Sequence, residues 1–127
     1  VDAICVAVGL RPLTELAYMA GVYHEFIPEL GGFMPLHDEN MESSVPGIYI
    51  AGDTAGVEEA NTAMDEGRLA GIAMAQSLGY LTKEEGEKAK ETVRDRLTAL
   101  RQGPFGERRL HAKERILEKG AKNICQF

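Results

Sequence analysis

The residues best placed to do chemistry lie in one run, Val45-Pro46-Gly47-Ile48-Tyr49-Ile50-Ala51-Gly52-Asp53. Pro46-Gly47 makes a turn, Ile48 to Ala51 reads as a short buried strand, and the run stops at a glycine followed by an acid. Ligands in open α/β sheets gather at the carboxyl ends of strands. A carboxylate there accepts hydrogen bonds from sugar or polyol hydroxyls, and Gly52 lets a ligand reach the backbone without meeting a Cβ. A helix expected just downstream offers free N–H groups near Ala60, Asn61 and Thr62, and its dipole favours an anionic or electron-rich edge. Such an arrangement suits a ligand with a polyol chain and a ring that gains negative charge on reduction. The competing reading makes Asp53 a helix cap or Asx-turn residue, and spacing alone does not separate the two.

The elements that must position this run can be read from periodicity. Residues 3–8, Ala-Ile-Cys-Val-Ala-Val, form a continuous apolar run ended by Gly9, expected to be a strand buried on both faces. Thr14 to Met19 fits a short helical turn, Phe33 to Leu36 a short strand, and His37 to Ser44 a polar loop. Residues 58–79 read as one helix with an inward stripe of Ala60, Ala63, Met64, Gly67, Ala70, Gly71, Met74 and Leu78. Each helical glycine costs roughly 1 kcal/mol relative to alanine, so Gly67 and Gly71 imply a close approach, most simply packing on a sheet.

The last third changes character. Thr82 and Glu85 form a capping box that opens a charge-rich helix to Gln102, with apolar Ala89, Val93, Leu97 and Leu100. Gly103-Pro104 and Gly106 interrupt it, and a second charged helix follows over 107–119. This tail reads either as a solvated helical cover or as a surface docking on another polypeptide. The division of the chain expected from these patterns is 1–79 and 80–127.

With 127 residues, 44% hydrophobic and 27% charged, the chain suits a globular domain with a real core. A net charge of −6 excludes a general basic surface for nucleic acid. No apolar run reaches the roughly 20 residues needed to span a bilayer, and no signal peptide opens the chain, so a soluble protein is expected. Cys5 and Cys125, at opposite ends of the chain, fit neither a disulfide-rich scaffold nor a zinc site and point to a reducing cytoplasm. His24, His37 and His111 are too scattered for a metal constellation, and no catalytic residue is assigned. Cys5 is expected to be a small buried hydrophobe, and Cys125 exposed near the end; a remote alternative makes Cys125 the first ligand of a following iron–sulfur module. Opening on Val1 and an immediate apolar run suggests a piece of a longer protein. No G-x-G-x-x-G and no Cys-x-x-Cys occurs, so the chain carries neither a pyrophosphate-binding turn nor a disulfide reductase motif.

Gly47-Ile48-Tyr49-Ile50-Ala51-Gly52-Asp53 resembles the second FAD motif of flavoproteins built from paired dinucleotide-binding domains, the glutathione-reductase-like group. Asp2 through Pro12, with Ala7-Val8-Gly9 then Pro12, resembles that group's connecting motif, with Val8 where threonine is usual. Gly32 to Gly79, including Ser43-Ser44-Val45-Pro46-Gly47 and Glu66-Gly67-Arg68-Leu69-Ala70-Gly71, is similar to the larger subunits of sarcosine oxidase, opine oxidase, hydrogen cyanide synthase and dye-linked proline dehydrogenase. The resemblance implies an α/β fold, the C-terminal portion of a Rossmann-like FAD-binding domain with short strands, one packed helix and an appended helical tail. It implies FAD as cofactor, with NAD(P) open to the parent protein, and contacts from Gly52, Asp53, Ala60, Asn61, Thr62 and Gly9. It also implies oxidation of an amine or amino acid C–N bond, and other domains or subunits as partners. An NAD(P)H-linked flavin reductase, or for the isolated chain a flavin-free interaction module, is the alternative.

Overall fold

The computed structural model describes residues 1–7, 9–104 and 106–124. In order, it contains helix α1 (Glu15–Met19), strand β1 (His24–Ile27), strand β2 (Gly32–Pro35) and three long helices: α2 (Ala60–Ser77), α3 (Lys83–Leu100) and α4 (Glu107–Ile124). Single 3-10 turns lie at Pro28–Leu30 and Gly52–Ala55.

The sheet is an antiparallel hairpin in which His24 faces Pro35 and Ile27 faces Gly32. Its connection closes through Gly31 at φ 98°, a left-handed conformation that favours glycine. Ile27 and Met34 bury completely, while Phe26 and Phe33, side by side on the other face with ring centroids 5.2 Å apart, stay exposed. Strand β1 is not evident in sequence, because His24-Glu25 supplies polar residues where a strand signal needs apolar ones.

The two strands expected from the apolar runs do not form. Residues 1–7 carry no regular structure and are exposed, Ile4 at 80% and Val6 at 74%. A strand buried on both faces needs neighbours on each edge, and no described strand pairs with it. Cys5 is accordingly exposed, against expectation. Val8, Phe105 and Cys125 lie outside the described residues. Ile48 to Ala51 is extended but joins the 41–43 segment through an isolated bridge between Glu42 and Tyr49 and single hydrogen bonds to Met41 and Ser43, and forms no strand among the described residues.

Helix α2 forms close to the expected place but buries a largely different face, which keeps Ala70 of the expected stripe. Thr62, Asp65, Glu66, Leu69, Ala70 and Ala73 are inside, whereas Met64, Met74, Leu78, Gly67 and Gly71 face outward. Nothing lies within 4 Å of where a Cβ on Gly67 or Gly71 would be, so no backbone approaches them. The face is shifted because α3 packs against the side carrying Asp65 and Glu66; Arg96 and the neighbouring Arg68 neutralise Asp65, and the distant Arg101 and Lys113 neutralise Glu66.

The capping box forms as read: Thr82 accepts from the Glu85 N–H, and the Glu85 carboxylate accepts from the Thr82 N–H at 3.0 Å. Val93 and Leu97 of α3 join Ala17, Val22, Met41, Ile50, Ala55, Leu69 and Ala70 in the larger core. That core spans both sides of residue 79. A smaller core unites Ile27, Leu30, Met34 and Leu36 with Ala112 and Ile116 of α4. Gly120 lets the α4 backbone rest directly on the His37 carbonyl, where any Cβ would clash. No described helix is long and apolar enough to cross a membrane.

Candidate flavin site

Residues 38–50 form a scaffold of short-range hydrogen bonds. Asp38 Oδ1 accepts from the N–H groups of Asn40 (2.8 Å) and Glu42 (2.9 Å), and Glu42 Oε1 accepts from Gly47 N–H (2.8 Å). Ile50 N–H donates to Met41 carbonyl and Ser43 N–H to Ile48 carbonyl, both at 2.8 Å. These bonds deliver the chain to Gly52 in a fixed direction. Gly52 then takes φ 69°, which a side chain would resist, and starts the one-turn segment ending at Ala55.

The turn leans on the first turn of α2: a Cβ built on Gly52 would sit 3.6 Å from that of Ala63. Gly52 is thereby set against Ala63, in the same helical turn as the predicted Ala60, Asn61 and Thr62. Asp53 is exposed, and its carboxylate accepts no hydrogen bond from another described residue. Neither the turn nor α2 has a side-chain cap bond; their N-cap residues are Ala51 and Glu59. Asp53 is therefore not spent on capping. At the helix start, Thr62 is buried and its N–H is taken by Asn61 Oδ1 at 2.9 Å. Gly9 has φ 100° in the exposed leading segment, and no hydrogen bond among the described residues ties it to Gly52 or Asp53.

Beneath the turn lies a buried charge cluster that sequence reasoning missed. Glu66, with its side chain 2% exposed, accepts from Gly52 N–H through Oε2 (2.9 Å), and from Arg101 Nη2 (2.6 Å) and Lys113 Nζ (2.8 Å) through Oε1. Lys113 Nζ also donates to the Ala55 carbonyl at 2.8 Å. Arg101 forks onto Glu58 with bonds of 3.1 and 2.7 Å. Burial pushes the Glu58 carboxyl up, but the Arg101 hydrogen bond and the charges of Lys113, Arg101 and Arg109 outweigh it and hold it below its ordinary value. Burial pushes Arg101 down, and Glu58 and Glu66 more than reverse it. Nearby, burial lowers the His37 pKa, keeping the ring neutral against the Asp38 carbonyl 2.8 Å from Nδ1. The partners of Glu66 lie 35 and 47 positions away, so no local pattern announces them. The only hint in the sequence is an acid pair, Asp65-Glu66, inside a helix that has to be packed.

The sequence profile of the pyridine nucleotide-disulphide oxidoreductases matches residues 1–67, more than half the chain and including Gly52 and Asp53. The chain belongs to this family of flavin-dependent oxidoreductases. Among curated proteins it is similar to an opine oxidase subunit of Rhizobium meliloti (strain 1021), 38% identical over 76% of this chain and 21% of the relative. It is likewise similar to the corresponding opine oxidase subunit of Agrobacterium tumefaciens (strain Ach5), 37% identical over 60% of this chain and 15% of the relative. Hydrogen cyanide synthase subunit HcnB of Pseudomonas aeruginosa is 27% identical over 97% of this chain and 25% of the relative. The chain thus spans about a fifth of the length of these relatives. No solved structure matches.

Proposed function

We propose that this chain closes the FAD site of an oxidoreductase that oxidises an amine or amino acid C–N bond. The observation that carries the reading is the exposed Asp53 carboxylate, free of capping duty, on a left-handed glycine turn set against the start of α2. The residues present fit the cofactor. Asp53 would accept from a ribityl hydroxyl, Gly52 would admit the polyol chain close to the backbone, and the Ala60 and Asn61 amides at the start of α2 would face the electron-rich edge of the ring, the Thr62 N–H being taken by Asn61. Bound flavin supplies the redox chemistry, and the protein supplies orientation and electrostatics. Residues 1–79 form the FAD-binding part and 80–127 the helical tail in this reading.

Similarity to opine oxidase and hydrogen cyanide synthase subunits supports the amine class of substrate over NAD(P)H. Other domains or subunits of the parent protein complete the site. Two surfaces support this: the small-residue face of α2, and the exposed apolar residues Ile4, Val6, Leu10 and Leu13. The experiment is anaerobic reduction of the full-length protein, followed by its visible flavin absorbance. Bleaching by an N-substituted amino acid but not by NADH or NADPH is expected. Rapid bleaching by NADH or NADPH alone would assign the protein to the reductases. A colourless protein that takes up no FAD would leave only the interaction-module reading, which the exposed hollow beside Tyr18, Met19, Phe26 and Phe33 favours.

A further inference from the structure

Both backbone ends of the turn that carries Asp53 are held by one buried ion pair. Gly52 N–H donates to Glu66 at 2.9 Å, and the Ala55 carbonyl accepts from Lys113 at 2.8 Å. Glu66 and Lys113 meet each other at 2.8 Å, and their side chains are 2% and 4% exposed. Glu66 belongs to α2, but Lys113 belongs to α4, 58 positions beyond Ala55. Arg101, at the end of α3, closes the cluster from a third direction through Glu58 and Glu66. Helix α4 is therefore more than a cover over the hairpin core. It reaches under the turn and fixes its carbonyl end.

We propose that Lys113 and Glu66 are positioning residues for flavin binding: they hold the Gly52–Ala55 turn in the one conformation that presents the Asp53 carboxylate outward. The proposal rests on the reading of Asp53 as a flavin ligand. Its physical basis is that a short turn with a left-handed glycine has other conformations within reach, and two charge-assisted bonds at its ends remove them. A buried pair suits this role because neither partner can leave without stranding the other's charge. Removing the cation frees the Ala55 carbonyl, lets Glu66 swing toward Arg101, and releases Gly52 N–H.

The test uses the full-length protein and compares Lys113→Met, Glu66→Gln, Ile116→Ala and Asp53→Ala by three readouts: flavin dissociation rate, hydrogen exchange of a peptide covering residues 52–56, and melting temperature of the apoprotein. Ile116 is fully buried in the smaller core, which α4 forms with the hairpin and which holds no residue of the turn, so it reports loss of helix docking alone. Lys113→Met is expected to speed flavin dissociation by about tenfold or more and to speed exchange at the turn. Ile116→Ala is expected to lower the melting temperature while leaving dissociation within about twofold. Lys113→Arg, which restores the cation, should recover slow exchange in part. If Lys113→Met does not fold, Glu66→Gln, which keeps the side-chain volume, decides by the same readouts. Flavin dissociation that tracks melting temperature across all variants, or that stays unchanged in Lys113→Met or Glu66→Gln, overturns the proposal. Asp53→Ala separates the two claims. If it releases flavin while the Lys113 and Glu66 variants hold it, only the positioning role falls; if it keeps flavin, the site assignment falls first.

Discussion

Replacing Glu66 by methionine removes the carboxylate shared by Gly52, Arg101 and Lys113 while nearly preserving side-chain volume. Breaking a buried ion pair from one side costs about 3–5 kcal/mol, because the remaining charge is left uncompensated. Here Glu58 retains Arg101 and lies 3.6 Å from Lys113 Nζ, which moves the figure toward the low end. The stranded Gly52 N–H adds about 1 kcal/mol or more. Glu66→Met should therefore cost about 3–4 kcal/mol, or roughly 10–15 °C in melting temperature for a chain of this size. The assay is urea unfolding followed by circular dichroism, with the midpoint falling and the slope m unchanged. Glu66→Met/Lys113→Met removes both members of the pair and should recover most of the loss, because an apolar pair of similar volume is often neutral in such a place. A single-variant cost under about 1 kcal/mol, or a double variant no better than the single, would refute the view that these charges are buried and mutually dependent.

Acid should weaken the fold in two stages. His37 has its pKa lowered from 6.5, so below about that pH the unfolded chain takes up a proton that the fold resists, and stability falls by at most about 1.4 kcal/mol per pH unit. Glu58, lowered from 4.5, adds a second loss as pH drops below that value; His37→Asn should abolish the upper stage and leave the lower one in urea midpoints measured from pH 7 to about pH 2.5. Leu97→Ala, at a side chain 5% exposed in the core between α2 and α3, should cost about 2–5 kcal/mol and leave the assembly state unchanged by light scattering. A change in assembly state without loss of stability would restore the alternative that this stripe docks on another polypeptide.

The parts legible in sequence are those that local chemistry dictates. The Thr82 and Glu85 capping box, the break at Gly103-Pro104, and the starts of the long helices on either side follow from caps, periodicity and glycine–proline punctuation. Gly120, expected to end the second helix at 119, lies instead inside α4, which runs to Ile124. Gly52 and Asp53 stand out in the sequence because a glycine and an acid after an apolar tetrapeptide form a compact signal; in the structure Gly52 packs against Ala63 in the first turn of α2. What fails depends on long-range partners. The apolar run at 3–8 reads as a buried strand, yet it has no strand beside it among the described residues. The rule that charges face water assigns the inward face of α2 to its small residues. Asp65 is instead inside because Arg96 and Arg68 reach it, and Glu66 because Arg101 and Lys113 do. Hydrogen bonding by Arg96 first, and then by Arg68, against the push of burial, holds the Asp65 carboxyl below its ordinary value. A helix face is chosen by pairing as much as by polarity, and pairing between residues dozens of positions apart leaves no periodic trace.

The most direct test is flavin retention by the full-length protein carrying Asp53→Ala, measured as the flavin-to-protein absorbance ratio after gel filtration and as the dissociation constant on adding FAD back. If this side chain grips the polyol arm of the cofactor, the substituted protein emerges depleted of flavin and rebinds it at least about tenfold more weakly, the loss of one charge-assisted hydrogen bond. A variant that emerges as fully loaded as the unaltered protein, with the same dissociation constant, would contradict the assignment.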